Sequence, residues 1–167
     1  DNLTVTGTAT ITSGQIVFPA SQNASTDANT LDDYEEGTWT PAFTGASSNP
    51  SGSFTEQHGE YIKIGRYVWI NCIIHMNASG GSGGGSASIG GLPIAPDGDT
   101  TVYYEPMTIG FTFGLGTSLY QAMTQGQTAY VYLLGEPSSG ARVHVDVDNI
   151  VSSDCRITIS GHYKVAS

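Results

Sequence analysis

Residues 67–76 read YVWINCIIHM, and one of the two alternating parities is wholly apolar: Val68, Ile70, Cys72, Ile74 and Met76. Successive side chains leave a strand on opposite faces, so this period of two marks a β-strand with one buried face and does not suit a helix. The other parity, Tyr67, Trp69, Asn71, Ile73 and His75, is half apolar. A strand with core on one side and such a face on the other points to a subunit interface or a second layer.

The same period recurs along the chain. In residues 107–115, Met107, Ile109, Phe111, Phe113 and Leu115 share one face, opposite the small residues Thr108, Gly110, Thr112 and Gly114. Val143, Val145 and Val147 alternate with Arg142, His144, Asp146 and Asp148. Near the end, Cys155, Ile157, Ile159 and Tyr163 read inward, and Arg156, Thr158, Ser160, His162 and Lys164 outward. Residues 118–124 and 128–134 flank Gln125-Gly126-Gln127, a hairpin signal. Residues 38–43 read as a first strand, demoted towards an edge by Pro41. No amphipathic helix exceeds a turn or two, and no internal repeat is present. About eight short strands at regular spacing predict an all-β fold, an antiparallel β-sandwich of jelly-roll type.

The string LDDYEEGTWTP at residues 31–41 divides the chain. Residues 1–30 cannot build a core: LTVTGTATIT at 3–12 reads as a thin strand or β-wound stalk, and SQNASTDAN is polar and turn-forming. Residues 31–167 read as a knob large enough to bury roughly two-thirds of its unfolded surface. The chain starts in mid-pattern without Met, and is read as the C-terminal piece of a longer protein.

Five basic against 15 acidic residues, a formal net charge of −10, oppose binding to nucleic acid or anionic lipid, which needs Lys and Arg to neutralise phosphate. No run of about 18 apolar residues predicts a membrane span. Two cysteines, Cys72 and Cys155, are too few for a zinc site or a disulfide framework. Both read as buried free thiols, with a single bridge between them left open. The Gly-rich stretch at residues 78–91 lacks the helix and the Lys-Ser or Lys-Thr of a phosphate loop. No cofactor is expected.

The acidic residues Asp32, Asp33, Glu35 and Glu36 lack the spacing of a calcium loop, and read as a solvated turn pairing with Lys63 or Arg66. Asp146, Asp148, Asn149 and Asp154 form a second acidic patch, conceivable as a weak metal site, but no metal ligand set is assigned. His58, His75, His144 and His162 show neither HxH nor HExxH spacing, and no GxSxG elbow occurs. No catalytic residue is assigned.

With LDDYEEGTWTP followed by EYIKIGRYVWI, GGLPIAP and the terminal ITISGHYKV, the chain resembles the C-terminal domain of many bacteriophage tail fibres and tailspikes. NLTVTGTATI and QIVFPASQNASTDANT resemble the stalk segments that precede such domains. The resemblance implies a homotrimeric virion protein, made in the bacterial host cytoplasm, whose knob sits at the distal tip of a fibre, continues an upstream shaft and recognises a bacterial surface glycan or outer-membrane receptor. It implies no enzyme at this domain; depolymerase activity, where present, resides upstream. The alternatives are a purely structural trimerisation domain and a depolymerase. Glycans stack on exposed rings oriented by nearby polar groups, so Tyr103, Tyr104, Tyr120, Tyr130 and Tyr132 are the candidate ligand-binding residues. Each of them also reads as a core or trimer-interface residue. Trp39 and Trp69 read as packing anchors, Trp39 for the first knob strand.

Overall fold

The alternation at residues 67–76 becomes the longest-paired part of a ten-stranded antiparallel sheet. The computed structural model describes residues 5–21, 30–31, 33–77, 82–98, 104–126, 128–135, 143–150 and 154–166. Its strands are β1 (Tyr34–Trp39), β2 (Ala42–Gly45), β3 (Ser53–Ile64), β4 (Tyr67–Asn77), β5 (Ala87–Gly90), β6 (Tyr104–Phe113), β7 (Leu119–Gln125), β8 (Val131–Gly135), β9 (Val143–His144) and β10 (Asp154–Lys164). One 3-10 turn, Val147–Asn149, is the helical element among the described residues. The protein is all-β, as expected.

The strands run in the order β1-β3-β4-β10-β6-β7-β8-β5-β2, with β9 on β8. β1 and β2 are thus opposite edges of the sheet, yet only Thr40 and Pro41 separate them in sequence. A flat sheet cannot place its two edges two residues apart, so this one curls until its edges meet at a corner. The expected single strand over residues 38–43 is therefore split, because Pro41 has no N–H for a ladder and sits at the bend. Gly91, at φ +83°, lies against the Thr40 carbonyl and lets the chain pass close to that corner.

The concave side holds one core. Val68, Ile70, Cys72, Ile74 and Met76 of β4 meet Cys155, Ile157, Ile159 and Tyr163 of β10, and Phe43, Ile89, Val131 and Leu133 close it from the far strands. Tyr163 is fully buried and its hydroxyl donates to the Ile94 carbonyl at 2.8 Å. Trp39 packs into the same core over Gly59, and its Nε1 donates to the Asn71 carbonyl at 3.3 Å. It anchors the end of β1.

Two expectations about facing fail locally. Along β6, Met107 is buried and Ile109 half-buried, but Phe111 and Phe113 are exposed, Phe113 by 58 %. The register with β10 shifts between Ile157 and Ile159: Ile109 pairs with Ile159, but Thr112 pairs with Ile157. This bulge inserts one residue, and a one-residue slip turns every later side chain to the opposite face. Of the three valines, Val145 and Val147 are buried, but the strand ends at His144 and Val143 is exposed.

Residues 5–21 belong to no strand or helix, so the strand expected over residues 3–12 is absent where described. Phe18 there brings its ring centroid to 6.2 Å from that of Tyr34. Cys72 and Cys155 are both buried and free. Cys155 pairs with Met76, four residues along β4 from Cys72, so the two are offset by about 13 Å at strand rise. A bridge needs Cα atoms within about 7 Å, which removes the disulfide left open above.

Candidate functional site

Strand register arranges the convex face of β1, β3, β4 and β10 as rows of neighbours. One row runs Tyr34, Ile64, Tyr67, Lys164; the next Glu36, Ile62, Trp69, His162; the next Thr38, Glu60, Asn71, Ser160. This is the half-apolar parity of β4 together with the matching parities of its neighbours. Nothing in the described chain covers it: Tyr67 and Trp69 are each 44 % exposed, with Ile62 and Ile64 similarly open.

Tyr67, Trp69 and His162 form an aromatic triangle, with ring centroids 6.1 Å (Tyr67–Trp69), 5.9 Å (Tyr67–His162) and 6.1 Å (Trp69–His162) apart. Around it lies a trough of about 790 Å³, bordered by Glu36, Thr38, Glu60, Ile62, Asn71, Ser160 and His162. The polar groups on its rim are partly linked. Tyr34 donates its hydroxyl to Glu36 at 2.7 Å, which raises the Tyr34 pKa, and Asn71 Nδ2 donates to Glu60 at 3.4 Å. The volume falls within the ~300–1,000 Å³ of small-molecule sites, with apolar lining and a few placed polar groups.

The carboxylates of the junction do not converge. Lys63 is one of the partners expected of this cluster, but the solvated turn is not found: Asp33 is buried in an ion pair with Lys63, and Glu35 and Glu36 lie on strand β1. Glu35 accepts from the Tyr61 hydroxyl, and that hydrogen bond, ahead of burial, pushes the Tyr61 pKa up to about 12. Glu36 turns to the convex face. Strand alternation has fanned the acids apart; Asp32 lies outside the described residues. Arg66 pairs instead with Asp97 at 2.7 Å.

Of the five candidate tyrosines, the structure joins two. Tyr104 of β6 and Tyr132 of β8 line a hollow of about 180 Å³ with Gln125 and His144, covering Met123 and Leu134. The Tyr132 and His144 rings meet edge to face at 5.3 Å. Tyr130 is set on the same face, with its ring against Gly90. Tyr120 is 70 % exposed on β7, and no described ring pair includes it. Tyr103 lies outside the described residues. The larger aromatic surface is therefore the one around Trp69, which reads from the sequence as a packing anchor and stands half-exposed on the convex face of the single chain. The signal was present in the half-apolar parity of β4.

Neither catalysis nor metal binding gains a constellation. Both ring nitrogens of His75 are engaged, Nε2 with Asp154 at 2.7 Å and Nδ1 by Arg156 at 3.0 Å. Asp146 caps the 3-10 turn, accepting from the Asp148 amide at 3.2 Å, so the second acidic patch is divided between a cap and a histidine pair. Among the described residues no three His, Cys, Asp or Glu side chains converge on a metal-sized site.

No protein-family model matches the chain, and no curated protein matches it. Among solved structures, the crystal structure of the Dettilon tailspike protein superposes with a TM-score of 0.59 at 19 % identity, over 78 % of this chain. The fold is that of a tailspike segment. The match spans 24 % of the tailspike chain, so the shared unit is about a quarter of that protein. At this identity the likeness establishes the β architecture.

Proposed function

We propose that the chain is the C-terminal knob of a bacteriophage tail fibre or tailspike. In this reading it forms a homotrimer at the distal tip of the virion fibre, continues an upstream shaft and recognises a bacterial surface glycan or outer-membrane receptor without catalysing a reaction. The carrying observation is the fold shared with a segment of a tailspike protein over 78 % of the chain. An acidic, cation-poor composition and an uncovered aromatic face support it. Static light scattering on the purified chain should give about three times 17.4 kDa, and fluorescently labelled protein should bind susceptible cells saturably. A monomer at micromolar concentration, or failure to bind any susceptible host, argues against the reading. Release of reducing ends from host polysaccharide would make it a depolymerase.

A second reading, a trimerisation domain with no receptor contact, shares with the first the feature that points to association of copies. Val5, Ile11, Ile16 and Val17 ahead of the knob are all exposed, and copies of the chain packed side by side would cover them. Trimers that bind no host cell would support it.

A further inference from the structure

The receptor chemistry can be narrowed from the convex trough, given the receptor-recognition reading above. We infer that the trough around Trp69 binds an uncharged saccharide and rejects anionic ones. Its floor offers Trp69 beside Ile62 and His162, an apolar and aromatic strip on which the C–H face of a pyranose can rest against the negative face of the ring. Its rim offers Glu36 and Glu60 as acceptors for sugar hydroxyls, with Asn71 beside them.

Charge decides the class. Among the described residues no Lys or Arg borders the trough. The four described cations are each in an ion pair: Lys63 with Asp33, Arg66 and Lys164 with Asp97, and Arg156 with Glu56. Arg142, the fifth, lies outside the described residues. A uronate, sialate or phosphate entering here would meet two carboxylates with neither Lys nor Arg among the described lining residues, His162 being the one cationisable side chain there, and with the field of a chain of net charge −10 behind them. The same two carboxylates disfavour a second copy as the occupant, because a dry protein contact would strip water from them while the described cations of that copy are already paired. Sugar hydroxyls satisfy carboxylates as donors and leave them partly wet.

The test uses the purified chain on an array of neutral hexose and N-acetylhexosamine oligosaccharides beside uronate-, sialate- and phosphate-bearing ones. Titration of the best neutral oligosaccharide should follow by isothermal titration calorimetry for every variant, with tryptophan fluorescence as a second readout for proteins that keep Trp69. Neutral probes should bind and perturb the emission, since Trp69 is the exposed one of the two tryptophans. Trp69→Ala should weaken that binding at least tenfold with unchanged circular dichroism, and Glu36→Gln with Glu60→Gln should weaken it severalfold. Preference for anionic probes overturns the class. Undiminished binding by Trp69→Ala overturns the site but leaves receptor recognition standing. A change of oligomeric mass in Trp69→Ala makes the face a contact between copies and also overturns it. Protein that binds neither the array nor susceptible cells refutes the receptor reading itself.

Discussion

Gly59→Ala tests the anchoring of β1 most directly. Gly59 faces Trp39 across the β1–β3 ladder, and a Cβ built there would lie well inside van der Waals contact with Nε1, Cε2 and Cδ1 of the indole. The indole cannot slide freely, being 93 % buried in the core and tied to the Asn71 carbonyl. If it shifts by about 1 Å, the cost is that of overpacking, roughly 1–3 kcal/mol. If it leaves the core, about 200 Å² of aromatic surface at ~25 cal/mol per Å² sets an upper value near 5 kcal/mol. Against either stands the ~0.4–1 kcal/mol that alanine gains by restricting the unfolded chain. A net loss of about 1–4 kcal/mol is expected, read as a lowered urea midpoint by circular dichroism at fixed protein concentration. The decisive comparison is the same substitution in a Trp39→Val background. There the Cβ has room, and Gly59→Ala should be neutral or slightly stabilising, giving a coupling of at least about 1 kcal/mol. Equal costs in both backgrounds would refute the claim that Gly59 exists to seat Trp39.

Lys63→Ala leaves Asp33 charged and buried, and should destabilise by about 3–5 kcal/mol in the same melts, whereas Asp33→Asn with Lys63→Met should recover much of the loss. Burial pushes the Cys72 thiol up to about 12 and the Cys155 thiol, also raised by neighbouring Asp154, to about 11, so neither should react with a disulfide reagent at pH 8 until the protein unfolds. Because folding raises both thiols above 9.0, it favours their neutral forms; that contribution is complete below pH 9 and should fade as pH climbs through 11 to 12. Tyr61, held by Glu35, and buried Tyr163 should ionise late in an ultraviolet alkaline titration, and Glu35→Gln should advance Tyr61 alone.

What the sequence made legible was whatever repeats locally. The inward faces of β4 and β10 follow from alternation, and the β7–β8 hairpin from the turn between its strands. Lys63 was legible as one of two partners for the acidic cluster, but not that it pairs with Asp33 or that the pair is buried. Phe111 and Phe113 were misplaced because a bulge is a property of two strands, and its partner, β10, lies more than 40 residues away. Trp69 was placed on the correct, partly exposed parity, but the surface it belongs to was not legible. Its neighbours Ile62 and His162 become its neighbours only through register with β3 and β10, which periodicity within one strand does not contain. Tyr104 was singled out beside Tyr103 and Tyr132 beside its hairpin, and it is β7 between their strands that brings the two together.

The corner at Thr40 and Pro41 bears on mechanics. A pull on the chain ahead of residue 30 enters the sheet along β1, one outer strand, and two residues past Trp39 it reaches β2, the opposite outer strand. Tension from the N-terminal side thus arrives at both margins of the sheet at nearly the same point in the chain. Trp39, wedged over Gly59 just ahead of the bend, is the cleat that must slip before peeling on one side becomes peeling on both.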